Sequence, residues 1–214
     1  MTTKRSQVVK AVPSAPVAKQ RRSQITYEKL IKAGFKLLEN RDFESISIAE
    51  IAKEAGYSVG AFYSRFENKE EYFTALFHQF HERRREETAA FFAENRDRDL
   101  PALYIERTVR WVWRSRFLWR AGLRRSLEDP DFWKPFRYLS RQAADKMNAI
   151  KAEKIGRPLT DDEQKNVQFA VQLVHGTINN AMVNRPGPFM PEDHDFQKRL
   201  IEAFRLVSRY NDLS

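Results

Sequence analysis

The feature that most constrains the fold of this chain is a pair of closely spaced helix-start signals with one glycine between them. Ser47 and Glu50 have the spacing of a capping box, in which each side chain accepts a hydrogen bond from the other residue's backbone. Gly56 is placed to end that helix in the left-handed conformation, and Ser58 is placed to cap a second helix. The pattern predicts two short helices joined by a tight turn, which is the helix-turn-helix arrangement.

Helical periodicity continues over the rest of the chain. Apolar residues recur at spacings of three and four, and no segment alternates in the manner of a strand. No proline lies between Pro16 and Pro101, and both Pro101 and Pro130 stand where a first helical turn begins. We therefore expect an all-α fold of about nine helices, with an N-terminal helix-turn-helix region followed by a larger helical region.

The chain divides into three segments by composition and pattern. Residues 1–22 are predicted to be a disordered basic arm, because they contain cations, small residues and prolines but no acid. Residues 23–73 form the helix-turn-helix domain, whose first helix is predicted over 24–39, and residues 74–214 form the helical remainder. The net charge is +9, and a basic arm beside a folded domain indicates a polyanion partner; a solubilising tail is the alternative.

Composition also excludes several function classes. The chain has no cysteine, which rules out disulfides, thiolate zinc sites and cysteine nucleophiles and agrees with a cytoplasmic location. No apolar run approaches the ~18 residues of a membrane span, and the N-terminus lacks the apolar core of a signal peptide. His78 and His81 are a weak metal signal, and no phosphate loop or nucleophile elbow is present. We expect no enzyme activity, catalytic residue, metal or cofactor.

One continuous motif points to a known family. Residues 45–73, SISIAEIAKEAGYSVGAFYSRFENKEEYF, resemble the DNA-binding signature of TetR-family transcriptional regulators, and with the first helix the resemblance covers roughly residues 24–73. Tyr72 departs from the pattern, since the family usually has leucine there. The positions that carry the resemblance are Ile48, Ile51, Ala52, Ala55, Gly56, Gly60, Phe62, Tyr63, Phe66 and Lys69.

The resemblance implies a sequence-specific DNA-binding regulator. It implies a homodimer that represses transcription on a palindromic double-stranded operator and is released by a small-molecule effector, with residues 74–214 as the helical effector-binding and dimerisation domain. A transcriptional activator of the same family and a sequence-independent architectural DNA binder stay open as alternatives. The implied DNA-binding residues are Ser47, Ser58, Tyr63 and Lys69 for phosphates, Val59, Gly60 and Ala61 for base edges, and Arg21 and Arg22 for a neighbouring groove.

The dimer interface is predicted on the last two long helices. A stripe at alternating spacings of four and three is typical of a bundle seam, although burial within one subunit explains the same stripe. Given the family resemblance, we assign this stripe to the dimer. The interface residues are Val167, Val171, Val174, Ile178, Ala181, Phe196, Leu200 and Phe204.

An arginine- and tryptophan-rich stretch over residues 107–125 is the second unusual feature. A solvated arginine face backed by core tryptophans and a membrane-surface helix are two interpretations. The third is an apolar effector pocket in which Arg116 meets an anionic or carbonyl group of the ligand. The predicted pocket residues are Trp111, Trp113, Arg116, Phe117, Trp133, Phe136 and His175.

Overall fold

The computed structural model describes residues 15–210, with side chains from residue 20 onward. Over these residues the chain is all-α, without strands, which confirms the predicted fold class. Short 3-10 turns lie at Phe43–Ser45 and Pro130–Trp133. The helices are α1 (Ala15–Leu37), α2 (Ile48–Ala55), α3 (Val59–Tyr63), α4 (Lys69–Glu94), α5 (Leu100–Arg114), α6 (Arg116–Glu128), α7 (Lys134–Ile155), α8 (Asp161–Asn184) and α9 (His194–Ser208).

The predicted caps of α2 and α3 are present in the structure. The Ser47 side chain accepts from the Glu50 amide while the Glu50 carboxylate accepts from the Ser47 amide at 2.8 Å, so the capping box is complete. Gly56 ends α2 with φ 76°, a left-handed conformation that favours glycine. Ser58 accepts from the Ala61 amide at the start of α3. The helix-turn-helix arrangement is therefore fixed by local hydrogen bonds.

The first helix begins earlier than predicted. Residues 1–14 of the predicted arm lie outside the described residues, but residues 15–22 are helical, so the prediction of disorder is wrong for them. Pro16 does not prevent this, because a proline in the first turn of a helix gives up no hydrogen bond. The helix ends at Leu37, two residues before the predicted end.

The N-terminal helices pack around an aromatic centre. Phe62, Phe66 and Tyr72 are buried, with ring centres 5.0–5.4 Å apart. The Tyr72 hydroxyl donates to the Leu30 carbonyl at 2.8 Å, and a Cβ at Gly34 would overlap that hydroxyl. The tyrosine that departs from the family pattern is thus accommodated by a glycine on the facing helix. This packing positions α3 against α1 and α4.

The remainder of α4 joins the N-terminal helices to a body formed by α5 to α9. In that body α8 packs against α7 and α9, and α5 packs against α9. All eight residues predicted for the dimer interface are at most 5% exposed within the single chain, since they face these neighbouring helices. A partner could reach them only by opening the core. Their assignment to a dimer interface is therefore wrong, and burial within one subunit accounts for the stripe.

Candidate functional site

The exposed surface of α3 is small at its front and aromatic at its end. Val59 is 41% exposed and Tyr63, one turn later, is 54% exposed. Gly60 is exposed, and a Cβ there would meet only the Ser58 hydroxyl at 3.8 Å. Phe62 is fully buried, so the helix divides its aromatic side chains between core and surface. A first helical turn with only small side chains can approach the major groove of DNA closely.

The other implied DNA-contacting residues lie at different degrees of exposure. Ala61 is half-buried, and Ser47 is exposed, but the Ser47 hydroxyl already bonds to Glu50. Arg21 and Arg22 are exposed on α1 and therefore belong to a helix, not to a flexible arm.

Lys69 is held at the first turn of α4. Its Nζ donates to the Glu44 carbonyl at 3.2 Å and lies 4.6 Å from the centre of the Phe43 ring. Partial burial lowers the pKa of Lys69 from its ordinary value. The ammonium is thus fixed in place beside the 3-10 turn and keeps further N–H donors for a phosphate.

Two arginines that connect this surface to other helices were not predicted from the sequence. Arg65, just after α3, donates from Nε to the Ser23 carbonyl of α1 at 3.3 Å. Arg125 at the end of α6 pairs with Glu70 at 2.9 Å and with Glu44 at 3.4 Å, and its guanidinium lies 3.7 Å from the Phe73 ring centre. These partners are distant in sequence, so no local signal identifies them.

A second candidate site lies inside the helical body. A small cavity of about 30 Å³ adjoins a larger cleft of about 710 Å³ between α6, α7 and α8. The two spaces share five lining residues, Trp119, Phe136, Ser140, His175 and Asn179. Of the predicted pocket residues, Trp111 lines the cavity, Trp133 lines the cleft, and Phe136 and His175 line both.

Three predicted pocket residues line neither space. A helix break at Ser115 separates α5 from α6, and Trp113, Arg116 and Phe117 lie on either side of it. Arg116 stacks over the Trp113 and Phe117 rings at 5.3 Å and 4.6 Å and donates to the Trp113 carbonyl. The prediction that Arg116 meets a ligand in this cavity is wrong, because its guanidinium is used within a local aromatic cluster.

His175 stands at the junction of the cavity and the cleft. The Ser140 hydroxyl donates to the Phe136 carbonyl, so it accepts from His175 Nδ1 at 2.7 Å. Nε2 of the neutral ring is then the acceptor for the Tyr104 hydroxyl at 2.9 Å. Burial, followed by the nearby charge of Arg84, lowers the pKa of His175 to about 4. The ring is therefore neutral at physiological pH and orders a chain of three polar side chains.

The two histidines that gave a weak metal signal differ in their surroundings. His81 is buried, bonds to the Pro135 carbonyl at 3.0 Å and packs edge-on against Phe136, whereas His78 is exposed. Within the described part of the chain, no group of three or more His, Cys, Asp or Glu side chains could hold a metal ion. None of the helices described over 15–210 is long and apolar enough to cross a membrane.

Comparison with known proteins finds a family model that matches the N-terminal segment. Residues 30–76 match the family described as "Bacterial regulatory proteins, tetR family". The HTH-type transcriptional regulator YwcC of Bacillus subtilis (strain 168) is 39% identical over 57 residues, which are 27% of this chain and 26% of that protein. The chain thus matches about a quarter of the length of this curated relative.

Solved structures extend the likeness to the whole fold. A protein described as a TetR-family transcriptional regulator from Mesorhizobium loti MAFF303099 superposes with a TM-score of 0.64 at 16% identity, covering 87% of this chain and 98% of that one. FadR from Bacillus subtilis, solved in complex with stearoyl-CoA, superposes with a TM-score of 0.58 at 20% identity over 85% and 98% of the two chains. The resemblance to the TetR family is therefore confirmed: the family model matches the N-terminal segment, and these structures share the fold.

Proposed function

We propose that this chain, whose residues 30–76 match the TetR family, is a cytoplasmic DNA-binding transcriptional repressor that a small-molecule effector releases from a palindromic operator. The observation that carries the proposal is the exposed, small-sided face of α3 in a complete helix-turn-helix. Val59 and Gly60 are free to meet base edges, and Tyr63 is free to donate to a phosphate. With few charged base readers on this face, methyl contacts and DNA shape contribute much of the specificity.

A dimer follows from the need for two half-sites, and the outer face of α8 supports one. Phe169 and Val183 are each 56% exposed there. They end an outward stripe, which we define as Phe169, Leu173, Gly176, Asn180 and Val183, with the same alternating spacing as the buried stripe. Two copies of this stripe packed about a two-fold axis bury the exposed apolar side chains and leave two α3 helices to read two half-sites.

Helix α6 supplies a physical connection between the effector cavity and the DNA-binding surface. Trp119, near its start, lines the cavity, and Arg125, at its end, holds Glu44 and Glu70. Glu44 and Glu70 are both next to Lys69: the Glu44 carbonyl accepts a hydrogen bond from Lys69, and Glu70 is the next residue in the chain. A ligand that moves Trp119 therefore displaces the DNA-binding helices, provided that it binds the displaced state more tightly.

Footprinting on the DNA that flanks the chain's own gene tests the proposal. We expect a protected palindrome, and Tyr63→Ala should weaken binding to it by about tenfold or more, since a hydrogen bond to a charged group is lost. Tyr138→Ala is the matched control, because Tyr138 is an equally exposed tyrosine on α7. Equal protection of scrambled DNA would instead indicate an architectural DNA binder, and equal binding by both variants would remove α3 from the interface.

A further inference from the structure

Arg84 on α4 is a buried cation that lines the small cavity. It is 4% exposed, its guanidinium lies 4.5 Å from the Trp111 ring centre, and its Nη2 donates to the Thr108 hydroxyl at 3.3 Å. Arg84 Nη1 and the Thr88 hydroxyl are also buried, and neither has a hydrogen-bond partner in the described part of the chain. Two unsatisfied polar groups in one cavity need a structural reason, because buried polar groups are nearly always paired.

The charges around the cavity do not balance. The carboxylate nearest to Arg84 belongs to Glu87, whose Oε2 is 3.9 Å from Nη1 and also pairs with Arg107 at 3.4 Å. The Glu87 side chain is 57% exposed, so two guanidinium groups share one largely hydrated carboxylate. Burial and the charge of Arg107 lower the pKa of Arg84 only to about 10, which leaves it protonated at neutral pH. His175 is neutral, and burial raises the pKa of Tyr104 to about 12. The cavity is therefore positive.

The shape of the two spaces suits a molecule with a small head and a larger body. The cavity of about 30 Å³ has room for about two water-sized groups, which is the size of the two oxygens of a carboxylate. The adjoining cleft of about 710 Å³ has aromatic side chains from Trp119, Trp133 and Phe136 in its wall. A head held at Arg84 can therefore extend its body past His175 into the cleft.

We propose that the ligand of this site is an amphipathic monocarboxylic acid. Its carboxylate pairs with Arg84 and accepts from the Thr88 hydroxyl in the cavity, and its apolar body lies against Trp119, Trp133 and Phe136 in the cleft. The regulatory role of such an acid rests on the proposed function, whereas its binding does not. The charge-assisted hydrogen bonds to Arg84 distinguish the acid from a neutral molecule of the same shape.

Calorimetric titration of the full chain, without DNA, tests this inference with two matched pairs of probes. The pairs are 2-naphthoate with 2-naphthamide and decanoate with decanamide, and the better acid shows whether the cleft prefers an aromatic or an alkyl body. At least one acid should bind about tenfold or more tightly than its amide. Arg84→Met should bring this ratio to about one, whereas the exposed neighbour Arg85→Met should leave it unchanged.

Three results would overturn the inference: no binding of either acid at millimolar concentration, equal binding of acids and amides, or an acid preference that survives in Arg84→Met. Should Arg84→Met not fold, Thr88→Val removes the unpaired hydroxyl at nearly constant volume and should weaken the acids alone. DNA binding is measured separately. If the chain binds an acid but no DNA, this inference stands and the proposed function is refuted. If the chain binds DNA with the same affinity whether or not an acid is bound, the regulatory role of the acid is refuted.

Discussion

The neutral state of His175 is a property of a single residue that has a measurable consequence for stability. Both ring nitrogens are engaged, by Ser140 and by Tyr104, in an arrangement that suits the uncharged ring. Its pKa in the folded chain, about 4, lies below the ordinary value of 6.5. As the pH falls through this interval, the unfolded chain binds a proton at His175 and the folded chain does not.

The free energy of unfolding should therefore decrease as the pH is lowered from about 6.5 to about 4, and this contribution should be complete above 6.5. His175→Gln should lose this part of the pH dependence, because glutamine does not titrate. Urea denaturation of both proteins at several pH values measures the difference. Glu50 and Glu163, whose pKa values Arg41 and Arg157 lower to about 2, titrate mainly below this interval. Parallel curves for the two proteins between pH 4 and 6.5 would contradict the prediction.

At the scale of single elements, the sequence predicts helix ends and faces but not what a face packs against. The starts of α2 and α3 are predictable to the residue because Ser47 and Ser58 supply their caps locally. The start of α1 was predicted too late in the chain, because the cations, small residues and prolines of residues 1–22 favoured disorder. On α8 both the buried stripe and the outward stripe have helical spacing, and only the tertiary contacts distinguish core from surface.

Arg84 of α4 is another residue whose surroundings could not be predicted from the sequence. Arg84 falls in line with the apolar stripe of Phe77, Phe80 and Phe91, where a charged residue is unusual. That break in the pattern is the one sequence signal that could have identified it. Arg116 was predicted to meet a ligand, but its guanidinium packs on the Trp113 and Phe117 rings instead.

The outward stripe of α8 gives an element-scale prediction. Phe169→Glu should raise the dissociation constant of the dimer by about a hundredfold, because an unpaired buried carboxylate costs several kcal/mol. Leu127→Glu is the matched control, since Leu127 is more exposed and lies on α6. Sedimentation velocity across a dilution series measures the dimer fraction. A wild-type chain that is monomeric at micromolar concentration, or two variants that dissociate alike, would exclude this face as the interface.

At the scale of the whole molecule, α4 and α6 join the helix-turn-helix to the cavity and its adjoining cleft. The two ends are connected by specific contacts: Gly122 of α6 packs so closely on Phe77 that a Cβ there would overlap the ring, and Arg125 pairs with Glu70. The fold class and the helix-turn-helix were predictable because they depend on local patterns. Four of the seven predicted pocket residues line the cavity or the cleft, but the part played by Arg84 and these connections were not predicted, because they join residues far apart in the chain.

The salt dependence of DNA binding tests the central claim, that the surface around α3 binds DNA, most directly. Fluorescence anisotropy of the palindromic fragment should give a linear decrease of log K with log salt concentration. Lys69→Ala should reduce the magnitude of that slope by about 0.9, because one phosphate contact no longer releases a counterion. Lys146→Ala, which removes an exposed lysine of α7, should leave it unchanged. The same slope for all three proteins would contradict the claim.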